Sequence, residues 1–187
     1  MKTLTTSYLG EIMNDINKEV SELTRRNILD LSELCKPLDI NDIEFRVGHK
    51  NQMGQFILAY KTARIDMTRL DSVVGPENWQ RCHTKIEGTN FCKVGIKIGN
   101  EWVWKEDVGE ESTQHSEKGA ASDSFKRACT NWGIGRELYR LPKIIVKTQE
   151  RIYPQSWQWV ANTNDDGFII GLQAQNQGTK MPLEYLR

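Results

Sequence analysis

The sequence lacks a net charge: its 187 residues include 25 lysines and arginines and 25 aspartates and glutamates. This balance excludes the strongly basic composition that many nucleic-acid-binding proteins have. The sequence also lacks an apolar run of membrane-spanning length, and its first residues lack the apolar core of a signal peptide. We therefore expect a cytoplasmic protein that makes no membrane contact.

Cysteine is scarce, and none of the four cysteines belongs to a Cys-x-x-Cys pair. Reduced thiols are expected rather than disulfides. Cys82, His83 and Cys92 could be imagined as zinc ligands, but neighbouring residues of a strand point to opposite faces. The sequence also lacks a Walker-type GxxxxGK[ST] phosphate loop. We expect no metal, no ATP and no other cofactor.

The charges are unevenly distributed along the chain. Residues 1–45 hold 5 basic and 9 acidic side chains, whereas residues 46–105 hold 10 basic and 5 acidic ones. This asymmetry indicates a basic working surface beside an acidic region, and it suits head-to-tail association between copies of the chain. Ordinary scatter of charge over a globular domain is the alternative interpretation.

The spacing of apolar residues predicts a mixture of helices and antiparallel strands. Apolar side chains recur at helical spacing over residues 8–26, and residues 28–34 continue this helix or form a second short one. Thr62 is placed to cap a helix that ends at Gly75-Pro76, and another helix is expected over residues 116–132. Strands are expected at Ile43–Val47, Gln55–Tyr60, Trp79–Glu87, Phe91–Ile98 and Glu101–Val108.

These elements suggest a core and an extension. The core is expected over residues 1–142, with an N-terminal helix at 8–35 and a strand-and-helix body at 43–142. Residues 143–187 are polar with scattered apolar patches, and we expect them to add a hairpin or to be partly mobile.

The central hairpin carries the first candidate site. Gly99-Asn100 is a strong signal for a two-residue turn, which places Lys97 opposite Trp102, Gly95 opposite Trp104 and Lys93 opposite Glu106. One face is then aliphatic, whereas the other interleaves lysine with tryptophan. Cations for phosphates beside rings for bases suit single-stranded nucleic acid, each stacked base contributing roughly 1–3 kcal/mol. Alternatively, the tryptophans cover a helix and the lysines extend to water.

The helix predicted over residues 116–132 carries the second candidate site. Lys126 and Arg127 lie about 100° apart on its outer side. Asp123 is the only nearby acid on that side, so an ion pair within the helix explains little, and a phosphate backbone is a good candidate ligand. A solvated helix face is the alternative. The inner face is formed by Ala121, Phe125, Ala128 and Trp132, whose small members allow close packing on a sheet.

Six short segments together form a recognisable pattern. They are Ala63-Arg64-Ile65, Val74-Gly75-Pro76-Glu77-Asn78-Trp79, Glu106-Asp107-Val108-Gly109, Glu117-Lys118, Phe125-Lys126-Arg127-Ala128 and Trp132-Gly133. In this order, over roughly residues 64–141, they resemble the DNA-binding core of the Rad52 family of single-strand annealing proteins. The short length resembles the phage-encoded, Sak-type branch, which implies the cytoplasm of a host cell.

The resemblance implies an α+β protein that anneals complementary single strands in homologous recombination and DNA repair, without ATP and without enzymatic chemistry. Protomers would form an oligomeric ring, each packing a curved antiparallel sheet against a long helix, with an N-terminal helix in addition. Single-stranded DNA would lie in a positively charged groove, and a host single-strand binding protein is a candidate partner. By position, Arg64, Lys126 and Arg127 correspond to phosphate-contacting residues.

Two features depart from the family pattern. Thr130 stands where the family often has another arginine, and the loop after Gly109 carries the acidic residues Glu110 and Glu111. Other cations would then have to compensate. From their charge alone, the candidates are Lys61, Lys93, Lys97 and Lys105.

Two other functions are compatible with parts of the sequence. A metal-dependent nuclease could use an acidic loop over residues 106–111, with Lys105 or Lys118 beside a divalent cation. The acidic residues concerned are Glu106, Asp107, Glu110 and Glu111. A passive RNA-binding module could use an antiparallel sheet with aromatic residues on one face, although aromatic-rich strand signatures are missing.

Overall fold

The computed structural model describes residues 12–18, 30–109 and 116–186. The chain divides into two compact units, residues 1–30 and residues 31–187. Residues 12–18 of the first unit form a helix, α1, in agreement with the apolar periodicity; the rest of the prediction for residues 8–26 lies outside the described residues. Residue 30 is not helical, and Leu31–Cys35 form a separate 3-10 helix in the second unit.

The second unit has the predicted α+β class, with every described strand pair antiparallel. The described strands fall into three sheets, ordered β1-β2-β6-β10, β3-β4-β5 and β7-β8-β9, rather than one. They are β1 (Glu44–Asn51), β2 (Gly54–Tyr60), β3 (Trp79–Ile86), β4 (Thr89–Ile98), β5 (Glu101–Gly109), β6 (Lys143–Val146), β7 (Gln158–Thr163), β8 (Ile169–Asn176), β9 (Thr179–Lys180) and β10 (Glu184–Leu186).

Two helices of this unit begin and end close to the predicted positions. Helix α2 spans Ala63–Val74 and helix α3 spans Ser116–Asn131. Thr62 occupies the N-cap position of α2, although its side chain makes no capping hydrogen bond. Gly75 ends α2 with φ +85°, a conformation that glycine adopts without steric cost. In the part of the chain that the structure describes, we find no helix that is both long and apolar enough to cross a membrane.

The sheet β3-β4-β5 forms the platform on which α3 packs. Its central strand buries Cys92, Val94 and Ile96 completely. Against this face α3 places the fully buried Phe125 and Ala128. Each large apolar side chain buried here contributes roughly 1.5–3 kcal/mol. The predicted inner face of α3 is therefore confirmed at Phe125, Ala128 and Trp132, whereas Ala120 rather than Ala121 is the fully buried alanine before them.

Close approach of α3 to this platform depends on one small residue of β5. A Cβ added at Gly109 would lie 2.3 Å from the carbonyl oxygen of Ala120 and 3.0 Å from the Cβ of Ser124. At the far end of the helix, the indole nitrogen of Trp132 donates to the carbonyl of Val94 over 2.9 Å. The helix is thus held at both ends of its contact with the sheet.

A second apolar core joins the other two sheets. Strand β6 pairs with β2, Gln55 lying opposite Val146, so residues beyond Pro142 complete the first sheet. Strands β7 and β8 pair as a hairpin, and Phe45 of β1 stacks on Trp159 of β7 with ring centres 3.8 Å apart. The buried members of this core are Leu38, Ile43, Phe45, Ile57, Ile144, Val146, Trp157, Leu172 and Ala174.

Candidate nucleic-acid interface

A cavity of about 320 Å³ lies where α3 meets the first sheet. Arg46 of β1, Tyr60 of β2, Lys126 and Arg127 of α3, and Tyr139 of the 3-10 helix that follows all line it. We call these five residues and the space between them the cationic groove. Three positive charges converge on a concave surface, which is the arrangement that a phosphate backbone requires.

Both helix cations of the groove are positioned by carboxylates. The Nζ of Lys126 lies 3.7 Å from Oδ1 of Asp123, and the Nε of Arg127 donates to Oδ1 of Asp107 over 3.2 Å. The side chains of Lys126 and Arg127 remain 26% and 34% exposed. The sequence indicated Asp123 as the only nearby acid, but Asp107 of β5 also lies beside α3. Each of the two cations therefore has a carboxylate partner. The pairs orient the cations and leave them accessible.

The environment keeps Arg127 charged. Partial burial lowers the pKa of its guanidinium, but the hydrogen bond and the charge of Asp107 outweigh this, so the pKa is raised. A permanently charged, planar donor beside the cavity suits recognition of phosphate oxygens.

Arg46 is the groove cation that sequence reasoning missed, and the two groove tyrosines were not predicted either. Its guanidinium carbon lies 5.6 Å from the ring centre of Tyr60, and Lys126 approaches the same ring at 6.0 Å. A single tyrosine therefore lies close to two cations that are eighty positions apart in the chain. Side chains alternate between the two faces of a strand, so the apolar Phe45 indicates that Arg46 points away from the core. No residue near Arg46 in the sequence indicates which helix its side chain faces.

Lys61 also lines the cavity, but its side chain is almost completely buried and is not accessible to a phosphate backbone. It is only 4% exposed, and its ammonium group donates to the buried carboxylate of Asp66 and, over 3.3 Å, to the carbonyl of Lys126. The prediction that Lys61 contacts DNA therefore does not fit its position. Burial raises the pKa of Asp66 to about 6 against the opposing charge of Lys61. The second oxygen of Asp66 has no hydrogen-bond partner.

The predicted lysine-tryptophan face forms on the other side of the β3-β4-β5 sheet. The register is as expected: Lys97 lies opposite Trp102, and Gly95 lies opposite Trp104. The indole rings are 6.1 Å apart at their centres, and the two residues are 38% and 41% exposed. Trp104 lies across Gly95, where an added Cβ would be 2.8 Å from the indole. The tryptophans do not cover α3, because α3 packs on the opposite face.

One of the two lysines of this face, Lys93, is partly neutralised. The Nζ of Lys93 lies 3.6 Å from Oε2 of Glu106, its partner across the strands. The lysine-tryptophan face and the cationic groove are therefore two separate surfaces. The first lies on the side of the β3-β4-β5 sheet that faces away from α3, and the second is lined by α3 and the first sheet.

Comparison with known proteins gives these surfaces a context. The sequence model described as Rad52/22 family double-strand break repair protein matches residues 29–157, which are 129 of the 187 residues and include the three groove cations. The chain belongs to the Rad52/22 family. This confirms the resemblance seen in the six sequence segments.

Two curated relatives are similar over part of the chain. The chain is 38% identical over 89 residues to the single-stranded DNA-binding protein DdrA of Deinococcus radiodurans, covering 46% of this chain and 42% of that protein. It is 38% identical over 96 residues to the protein of the same name from Deinococcus deserti, covering 50% and 47%. The chain spans less than half of the length of these relatives.

Two residues that were predicted to bind DNA lie elsewhere in this member of the Rad52/22 family. Arg64 is on the exposed side of α2 and is not among the residues that line the cationic groove. The Nζ of Lys105 donates to the carbonyl of Asn131 over 2.8 Å and lies 4.4 Å from the ring centre of Trp132. Its charge therefore faces the C-terminal end of α3, where a cation is favourable.

The side chains of Glu106 and Asp107, two neighbouring acidic residues of β5, point to opposite faces of the sheet. Glu106 points to the lysine-tryptophan face, whereas Asp107 points to α3 and accepts hydrogen bonds from Arg127 and Asn131. Two carboxylates on opposite faces of a strand cannot share one cation. Over residues 12–18, 30–109 and 116–186, no cluster of three or more His, Cys, Asp or Glu side chains could hold a metal ion. Glu110 and Glu111 lie outside the described residues.

Proposed function

We propose that this protein binds single-stranded DNA and anneals complementary strands in homologous recombination and DNA repair, without ATP. The observation that carries the proposal is the convergence of Arg46, Lys126 and Arg127 on one cavity. Membership of the Rad52/22 family supports it, and so do the two relatives that are named single-stranded DNA-binding proteins.

The groove would act by neutralising phosphates. Each cation that contacts the backbone releases condensed counterions, so binding is favoured regardless of base sequence. Because two DNA strands repel each other, lowering their charge makes encounters between them more frequent. Base pairing then supplies the free energy of annealing, so no bond has to be made or broken and no enzymatic step is needed.

We further propose that the protein acts as a homo-oligomeric ring. The acidic residues 1–45 of one copy could meet the basic residues 46–105 of the next, which is a head-to-tail contact that closes into a ring if the rotation allows. A ring would align the cationic grooves of successive copies along one strand. A single-strand binding protein of the host is a candidate partner that delivers the DNA.

The lysine-tryptophan face is a second candidate contact for single strands. Lys93 and Lys97 supply charge, while Trp102 and Trp104 supply exposed rings, and these are the groups that non-specific single-strand binders combine. Because this face points away from α3 and the groove is lined by α3, one nucleotide cannot contact both in the same protomer. The two surfaces can therefore be tested separately.

The proposal is tested by mixing two complementary, dye-labelled oligonucleotides with the protein in EDTA and without ATP. Duplex formation is followed by energy transfer. Acceleration well above the spontaneous rate is expected. Tight binding without acceleration would leave a passive coating module. Cleavage of the oligonucleotides that EDTA abolishes would favour the metal-dependent nuclease.

The groove itself is tested by charge removal. Lys126→Ala with Arg127→Ala should weaken single-strand binding and lower the slope of log K against log salt by roughly 0.7 for each phosphate that is no longer neutralised. Arg46→Ala should act in the same direction, and Lys180→Ala is its matched control because Lys180 is exposed on β9 and lies outside the cavity lining. Equal effects of Arg46→Ala and Lys180→Ala would overturn the assignment of Arg46 to the groove.

A further inference from the structure

The cationic groove contains two tyrosines whose environments differ. The ring of Tyr60 is approached by two cations, Arg46 at 5.6 Å and Lys126 at 6.0 Å. Tyr139 is 67% exposed, and over the described residues neither an aromatic ring nor a cation lies above it. An exposed ring beside phosphate-binding cations is the group on which a base of a single strand can stack.

The backbone that carries Tyr139 is held against the end of α3. Partial burial raises the pKa of the Tyr139 hydroxyl, so the group is neutral at physiological pH. Thr130, which lines the same cavity, donates to the carbonyl of Lys126 over 3.0 Å. The 3-10 helix Arg136–Arg140 that carries Tyr139 is tied down as well, because Arg136 donates to the carbonyls of Thr130 and Asn131 over 3.0 Å each.

We propose that Tyr139 stacks on one nucleobase of a single strand whose phosphates contact Arg46, Lys126 and Arg127. This inference rests on the proposed function and assigns a base-contacting residue within the same groove. Thr130, which stands in place of a basic residue, and Tyr139 line the same cavity, so the groove offers an aromatic surface rather than another phosphate-binding cation.

The experiment compares an ordinary thymidine oligonucleotide with an abasic one that has the same number of phosphates. Binding of each is measured by fluorescence anisotropy at several salt concentrations. Tyr139→Ala should weaken binding to the thymidine oligonucleotide by roughly 5- to 150-fold for each stacked base. Binding to the abasic oligonucleotide and the salt slope should stay unchanged, because all three phosphate-binding cations remain in place.

Two further variants separate stacking from general disturbance of the groove. Tyr139→Phe keeps the ring and should retain most of the affinity, whereas Tyr139→Leu has apolar bulk without a ring and should resemble Tyr139→Ala. Equal losses of affinity of Tyr139→Ala for both oligonucleotides, or no loss for either, would overturn the stacking role while leaving the groove intact. If wild-type protein binds neither oligonucleotide, the proposed function itself fails.

Discussion

Replacing Lys61 by methionine would remove the counter-charge of a carboxylate that is completely buried. Asp66 is 0% exposed. Over the described residues, Lys61 is the one charged side chain that forms an ion pair with it. Methionine has a similar length and no charge, so the packing of this side chain should change little. The expected loss of stability comes from leaving Asp66 as an unpaired buried charge, which costs about 3–5 kcal/mol in other proteins.

The pH dependence of this loss has a definite sign. In the wild type the pKa of Asp66 is raised from 3.8 to about 6, a difference equivalent to about 3 kcal/mol. Because the folded-state pKa is the higher one, the contribution of Asp66 to stability is full below pH 3.8 and is lost as pH rises through about 6. Without Lys61 the pKa should rise further, so the cost of Lys61→Met should be larger at pH 8 than at pH 5.

Urea unfolding of wild type and variant at pH 5 and pH 8, at equal protomer concentration, measures this difference. Lys93→Met is the matched control, because the Lys93 side chain is 48% exposed and lies 3.6 Å from Glu106. Its effect should stay below about 1 kcal/mol at both pH values. A loss below about 1 kcal/mol for Lys61→Met at pH 8, or the same loss at pH 5, would refute the reasoning.

Two other predictions concern the packing of α3 and the thiols. Gly109→Ala should destabilise the protein by about 2 kcal/mol or more, because its Cβ would lie 2.3 Å from the carbonyl oxygen of Ala120; thermal unfolding checks this, and an unchanged midpoint would contradict the observed close approach. Cys35 and Cys82 are exposed whereas Cys92 and Cys129 are buried, and burial raises the pKa of Cys92 to about 11. A chromogenic disulfide reagent should therefore react with two thiols before unfolding and with four after it; Cys82→Ser should remove one of the two early ones.

Local patterns predicted the elements whose partners are neighbours in the chain. Gly99-Asn100 was sufficient for the register of β4 and β5, since a two-residue turn and strict alternation leave one pairing. Helix α2 begins after Thr62 and ends at Gly75 for similarly local reasons. The face of α3 followed from its helical period, so the positions of Lys126 and Arg127 could be predicted too.

Contacts between distant segments could not be predicted in this way. Nothing near Arg46 indicates that it lies beside α3, because that contact depends on how two sheets pack. Lys61 was expected at the surface, as lysines usually are, but the ion pair with Asp66 allows it to be buried. The ring of Tyr139 likewise reaches the groove only because the chain turns back after α3 at Gly135, whose φ is +66°.

The pairing of β2 with β6 has a consequence for biosynthesis. Gln55 and Val146 are opposite each other but about ninety residues apart in the chain. At roughly 5–20 residues per second, a ribosome needs about 5–20 s to make the intervening segment. During that time one edge of β2, with its exposed amide and carbonyl groups, has no strand beside it. Nascent chains on one messenger could pair through this edge, so the protein is most vulnerable to aggregation before β6 emerges.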